Sequence, residues 1–248
     1  MSNLQMDYLD LLEKVLTGLI YGDPPIDPAT KHLGYNQRVR IHGLDWPSKA
    51  HTMVGLIRLR NIRRCVLHVL QHSISGDFIE TGVWRGGAAI YMRGILKAFD
   101  VNDRTVWAAD SFEGLPPPED RCPADRGDKH YTVKDLAVSL EEVQRNFAIY
   151  GLLDEQVRFL KGWFKDTLPN APIEKIAILR LDGDMYASTM DALTPLYDKV
   201  SIGGFVIVDD YGSVPACKQA VDDFRNQFGI VDPVQSIDDV GIFWQRTK

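Results

Sequence analysis

Four aspartates in two short motifs carry the first chemical signal. Leu181-Asp-Gly-Asp184 contains Asp182 and Asp184, and Val208-Asp-Asp-Tyr211 contains Asp209 and Asp210. Each motif follows an apolar run, 176–181 and 204–208, that reads as a strand. Neighbouring parallel strands end only ~5 Å apart. Carboxyls gathered there repel one another unless they are protonated or bind a cation. A donor set made only of oxygen suits Mg²⁺ or a similarly hard ion. Either pair alone would serve equally well as a helix cap; their convergence on one sheet edge favours the cation.

A second signal is Glu80-Thr81-Gly82-Val83-Trp84-Arg85-Gly86-Gly87, placed between a short strand and a helical run. Glycines at such a turn let the backbone approach a ligand, and the helix start favours carboxylate groups. A pyrophosphate-binding turn reads GxGxxG. Here Glu80 stands before the first glycine, which repels pyrophosphate and suits an ammonium group, while Arg85 adds a guanidinium. The next strand ends in Asp110-Ser111-Phe112. An acid at that place accepts hydrogen bonds from a ribose diol. A nucleoside carrying an amino acid satisfies both acids, and S-adenosylmethionine is such a molecule.

These motifs need a scaffold that brings strand ends together. Strands are expected at 77–80, 105–110, 157–161, 176–181, 204–208 and 241–246. Helices are expected between them at 88–99, 137–150, 186–200 and 215–228. Short apolar strands alternating with helices mean a parallel sheet covered on both faces, with ligands beyond its carboxyl edge. Upstream, residues 5–21 form an amphipathic helix with Tyr8, Leu12, Val15, Leu16 and Leu19 on its apolar face. Residues 23–50 read as irregular, and a helix runs over 52–71 with Arg58, Arg60, Arg63 and Arg64 on a solvated face. The polar stretch 117–135 lacks apolar periodicity, as an active-site lid would.

Composition narrows the function classes. With Lys+Arg 28 against Asp+Glu 34, the net charge of -6 argues against nucleic acid as a partner. Cys65, Cys122 and Cys217 are an odd set without a CxxC pair, which fits reduced thiols rather than a disulfide framework or a zinc site. No apolar run approaches the ~18 residues of a membrane-spanning helix, and Met1-Ser-Asn-Leu-Gln lacks the basic start of a signal peptide. A cytoplasmic protein is expected, with no membrane partner.

Five segments together resemble the macrocin O-methyltransferase family: Glu80–Gly87, Ala109-Asp-Ser-Phe-Glu-Gly-Leu-Pro116, Gly162-Trp-Phe-Lys-Asp-Thr-Leu-Pro169, Leu181-Asp-Gly-Asp-Met-Tyr-Ala-Ser-Thr189 and Asp209-Asp-Tyr-Gly212. The resemblance implies an α/β, Rossmann-like class I methyltransferase fold. It would have a mostly parallel seven-stranded sheet with helices on both faces and an N-terminal helical extension. One domain would cover 1–248, divided into a helical cap over 1–72 and a core over 73–248. It further implies O-methylation of a sugar hydroxyl on a glycosylated natural product, with S-adenosylmethionine and a divalent metal as cofactors. Carried over by motif, the metal ligands are Asp182, Asp209 and Asp210, and the base is Asp184. Cofactor contacts fall on Glu80, Thr81, Gly82, Arg85, Gly86, Asp110, Ser111, Phe112, Gly162, Trp163, Phe164 and Asp182. Catechol O-methyltransferase looks like a distant relative with a lysine base three positions after its first metal aspartate; that position here is Met185, which takes no proton. His130, in the lid, is a second candidate base. A phenol or catechol acceptor is the alternative within the enzyme class, and a metal-dependent hydrolase lies outside it. A homo-oligomer, dimer or higher, is expected, and the amphipathic N-terminal helix is one candidate interface.

Overall fold

The computed structural model describes residues 2–248. Helix α1 (Asn3–Leu16) starts with a reciprocal cap in which the Gln5 N–H donates to the Ser2 hydroxyl and the Ser2 N–H donates to the Gln5 side chain. Its buried face is Leu9, Leu12, Glu13 and Leu16, while Tyr8 of the expected face is partly exposed. The helix ends well before Tyr21, because the chain turns through Gly18 to bring Asp23 and Ala50 together. The segment expected to be irregular holds a short helix, α2 (Gln37–Ile41), capped by the Asn36 side chain. Helix α3 (Leu56–Gln71) starts four residues later than expected, after Gly55.

From there strands and helices alternate: β1 (Asp77–Thr81), α4 (Gly87–Ala98), β2 (Val106–Asp110), α5 (Leu140–Ile149), β3 (Val157–Lys161), α6 (Phe164–Thr167), β4 (Ile176–Leu181), α7 (Tyr186–Leu196), β5 (Val200–Val208), α8 (Pro215–Gln227), β6 (Gln235–Ser236) and β7 (Ile242–Gln245). The seven strands form one sheet in the order β3-β2-β1-β4-β5-β7-β6. The first five are parallel, and β7 returns antiparallel between β5 and β6. The expected seven-stranded, mostly parallel sheet is therefore present. The two-residue β6 has no apolar alternation to mark it in sequence.

Side-chain alternation along the strands splits the core in two. Phe78, Ala108, Ile178, Phe205 and Phe243 face α1, α3 and α4. Ile79, Trp107, Leu179, Val206 and Trp244 face α7 and α8. Helix α1 packs Leu9, Leu12 and Leu16 against α4 and α3 of this same chain. Among the described residues, no helix is long and apolar enough to cross a membrane.

Candidate active site

Parallel register builds the centre of the site. Glu80 on β1 stands beside Arg180 on β4. Register partners point to the same face of the sheet, so both side chains enter the core on the α3–α4 side. Arg180 is fully buried there, and its Nη1 donates to Glu80 Oε1 at 2.6 Å and to Asp182 Oδ2 at 2.7 Å. Its Nη2 donates to Asp209 Oδ1 at 2.5 Å. One guanidinium thus ties together the ends of three strands. Sequence reasoning missed it, although a lone arginine within the apolar run Ile-Ala-Ile-Leu-Arg-Leu was a usable signal, since a buried arginine requires carboxylate partners.

A second cation was also misplaced. Arg58 of α3, expected on a solvated face, is buried and donates from Nη1 to Asp209 Oδ2 and from Nη2 to the Gly43 carbonyl at 3.0 Å. Arg63 pairs with Asp10 at 2.7 Å and Glu13 at 3.3 Å, whereas Arg60 and Arg64 are exposed as expected. The acids at the sheet edge are therefore partly neutralised by protein groups, which corrects the expectation that only protons or a bound ion would hold them.

The compensation is incomplete. Glu80, Asp182, Asp184, Asp209 and Asp210 face two guanidiniums. Carboxylate oxygens of Asp182, Asp209 and Asp210 all lie within 4.8 Å of one another. Asp210 Oδ2 is buried with no hydrogen-bond partner among the described residues. Burial and the neighbouring Asp184 and Asp182 charges push the Asp210 carboxyl well above its ordinary range. Burial likewise pushes Glu80 up to about 8 against the pull of Arg180. An oxygen-only trio with an orphaned buried acceptor is what a hard divalent cation would satisfy.

Beside the acids, over the carboxyl ends of β1, β2 and β4, lies a cavity of about 320 Å³, within the size range of small-molecule sites. Glu80, Gly82, Asp110, Ser111, Trp163, Phe164, Asp182 and Asp184 line it, as does Trp84. Gly82 has no substitute: its φ is +89°, and an added Cβ would stand 1.7 Å from the Asp182 carbonyl oxygen. Asp110 accepts the Val83 N–H on Oδ2 and the Phe112 N–H on Oδ1, each at 2.7 Å, so it locks the two turns that frame the cavity.

Several expected cofactor contacts do not reach the cavity. Arg85 turns back to donate to the Pro47 and Ala50 carbonyls, both at 3.0 Å, and stacks on Trp84. Phe112 is buried in the core, edge-on to Phe159. Thr81, Gly86 and Gly162 shape the turns without lining the space. Thr52, Met53 and Val54 of the N-terminal region do line it, with residues 114–119 and Leu136 opposite.

Asp184 is placed by a backbone feature invisible in sequence. Strand β4 ends at Leu181, so strand alternation cannot set its direction, and its φ is +56°. Burial and Asp182 push its carboxyl up to about 7, and His130 pulls it down. His130 lies outside the cavity lining; its Nδ1 is 2.6 Å from Asp128 Oδ2. Asp184 does not cap the helix that follows. Asp125, itself buried, accepts the Tyr186 N–H at 2.6 Å and the Ala187 N–H at 2.9 Å at the start of α7. No sequence signal marked Asp125, whose partner is 61 residues away.

Comparison with known proteins shows the family and the fold. The chain is 58% identical over 245 residues to demethyldecarbamoylnovobiocin O-methyltransferase of Streptomyces niveus, covering 97% of this chain and 94% of that protein. It is 53% identical over 244 residues to 8-demethyl-8-(2,3-dimethoxy-alpha-L-rhamnosyl)-tetracenomycin-C 4'-O-methyltransferase of Streptomyces olivaceus, covering 97% and 92%. The solved structure of the O-methyltransferase NovP superposes with a TM-score of 0.94 at 57% identity, over 98% of this chain and 100% of that one. Residues 5–246 match the macrocin-O-methyltransferase (TylF) family. With a match to that family over nearly its whole length and two relatives more than half identical to it, the chain belongs to the macrocin O-methyltransferase family and is a methyltransferase.

Proposed function

We propose that the protein transfers a methyl group from S-adenosylmethionine to a sugar hydroxyl of a glycosylated natural product, assisted by a divalent cation. The observation that carries this reading is the contact between the two halves of the site: the acid cluster stands at the edge of the cavity that Glu80, Asp110 and Trp163 line. A hydrolase would have no use for that second half. Both curated relatives described above are named for O-methylation of glycosylated antibiotics or their precursors, and one is named for a rhamnosyl group.

In this reading Glu80 and the Gly82 backbone hold the amino-acid end of the cofactor. Asp110 offers its remaining lone pairs to the ribose, and Trp163 with Phe164 packs the adenine. Thr52–Val54 and the 114–119 turn shape the acceptor side. Asp182, Asp209 and Asp210 would hold the cation, which supplies a Lewis acid that lowers the pKa of a hydroxyl. Arg180 and Arg58 fix the Asp209 carboxylate from two sides, so it keeps its orientation whatever enters the site. Asp184, on the cavity wall, takes the acceptor's proton on a carboxylate oxygen.

Transfer of label from methyl-labelled S-adenosylmethionine tests the reading. A glycosylated aminocoumarin and a rhamnosylated polyketide are expected to be labelled, and a simple catechol to be labelled poorly. Faster labelling of the catechol would overturn the sugar assignment. Exhaustive chelation is expected to abolish turnover and Mg²⁺ to restore it; full activity after chelation would remove the cation. Asp210→Ala should likewise abolish turnover while calorimetry shows S-adenosylhomocysteine still binding.

A further inference from the structure

The segment 117–135 is tied to the body of the protein at its far end, where Trp84 Nε1 donates to the Asp135 carbonyl at 2.8 Å, and through its own side chains at three places. Glu119 pairs with Lys165 at 2.7 Å, and Arg121 with Asp191 at 2.9 Å. The basic partner of each pair is about half exposed, and ion pairs of that kind contribute little to holding a segment in place. The third tie is Asp125, whose side chain is buried and whose two oxygens both accept N–H groups at the start of α7. Helix α7 has no side-chain cap of its own, since Met185 occupies its N-cap position. The acid that satisfies it therefore comes from the lid.

From Asp125 a run of tight turns leads to His130. The Asp128 N–H donates to the Asp125 carbonyl at 3.0 Å. The His130 N–H donates to Asp128 Oδ1 at 2.8 Å, and His130 Nδ1 meets Asp128 Oδ2 at 2.6 Å. Each link fixes the next, so the Asp128–His130 pair is held in a set position relative to Asp125. On the other side of Asp125, residues 114–119 form part of the cavity wall. The same buried carboxylate also fixes the first turn of α7, immediately after Gly183-Asp184-Met185.

From this geometry we infer that Asp125 is a positioning residue for methyl transfer: it pins the lid to the start of α7 and so holds the 114–119 wall of the cavity against the turn that carries Asp184. The inference rests on the reading of this cavity as the methyl-transfer site. It assigns Asp125 no contact with substrate.

Asp125→Ala and Asp125→Asn, compared with Ser139→Ala, separate positioning from simple helix capping. Ser139 caps α5 through the Glu142 N–H at 3.2 Å and lies outside the cavity lining, so its loss gives the thermal effect of a missing cap alone. Both Ala variants are expected to melt a few degrees lower, about 2–4 °C for each kcal/mol of lost capping. Asp125→Ala is expected to lower kcat by ~10²-fold, as a misplacement of about an ångström does, with S-adenosylhomocysteine affinity unchanged. Amides of 126–133 should exchange hydrogen faster in that variant, and Asp125→Asn should fall between it and the wild type. Ser139→Ala should keep its kcat. Equal kcat in Asp125→Ala and Ser139→Ala, measured well below both melting points, would overturn the inference. Should Asp125→Ala fail to fold, wild-type kcat and exchange in Asp125→Asn would overturn it equally. If the wild type itself transfers no methyl group, the functional reading has failed, and unchanged exchange over 126–133 would still count against the anchor.

Discussion

Replacing Arg180 by methionine is expected to lower stability by about 3–5 kcal/mol, the usual cost of stripping one partner from a buried ion cluster. For a chain of this size that corresponds to a melting point lower by about 6–20 °C. Methionine matches the aliphatic stem, so packing changes little and the effect isolates the charge. The guanidinium is fully buried and bonded to Glu80, Asp182 and Asp209. Without it the Glu80 carboxyl has no cation beside it, while Asp209 keeps only Arg58. The remaining acids must take up protons or draw in water, and both courses disorder the carboxyl edge of β1, β4 and β5. Thermal melting followed by circular dichroism measures the effect. A melting point within about 2 °C of the wild type, less than a single kcal/mol would cause, would mean that Arg180 is not what holds the three strand ends. Lysine at the same position should recover only part of the loss, because one ammonium cannot reproduce the fork that reaches three carboxylates.

The largest catalytic effect is expected from Asp184→Asn, which should lower kcat by ~10²–10⁴-fold, the range of general-base assistance. Asparagine is the cleanest probe available here. It tolerates the left-handed backbone that Asp184 adopts at φ +56°, whereas alanine would add strain to the loss of the carboxyl. Capping offers no competing explanation, since the first N–H groups of α7 are taken by Asp125. The variant should therefore melt like the wild type and bind S-adenosylhomocysteine equally well while turning over slowly. A stable Asp184→Asn protein with near-normal kcat would eliminate Asp184 as the base. His130→Gln would then be the variant expected to fail, because His130 is the second candidate base.

The sequence by itself determined the sheet, its two-faced covering and the carboxyl edge on which chemistry would gather. It could do so because those features are local: apolar runs of strand length, a glycine turn with an acid before it, and acids placed directly after strands. Gly82 shows how far this reaches, since the need for glycine was legible and the Asp182 carbonyl that imposes it was not. Tertiary structure decided which charges meet. Arg180 joins Glu80 and Asp209 only because register sets β1, β4 and β5 side by side, and Arg58 reaches Asp209 across 151 residues because α3 packs over that face. It also sent Arg85 to the Pro47 and Ala50 carbonyls and Phe112 into the core, although both stand within cofactor-like motifs. Asp184 escaped the sequence for a related reason. Strand periodicity directs side chains only while the strand lasts, and β4 stops one residue before Asp182. Asp125 lay furthest from view, because a helix start that lacks its own cap accepts a carboxylate from whichever distant segment the fold delivers to it.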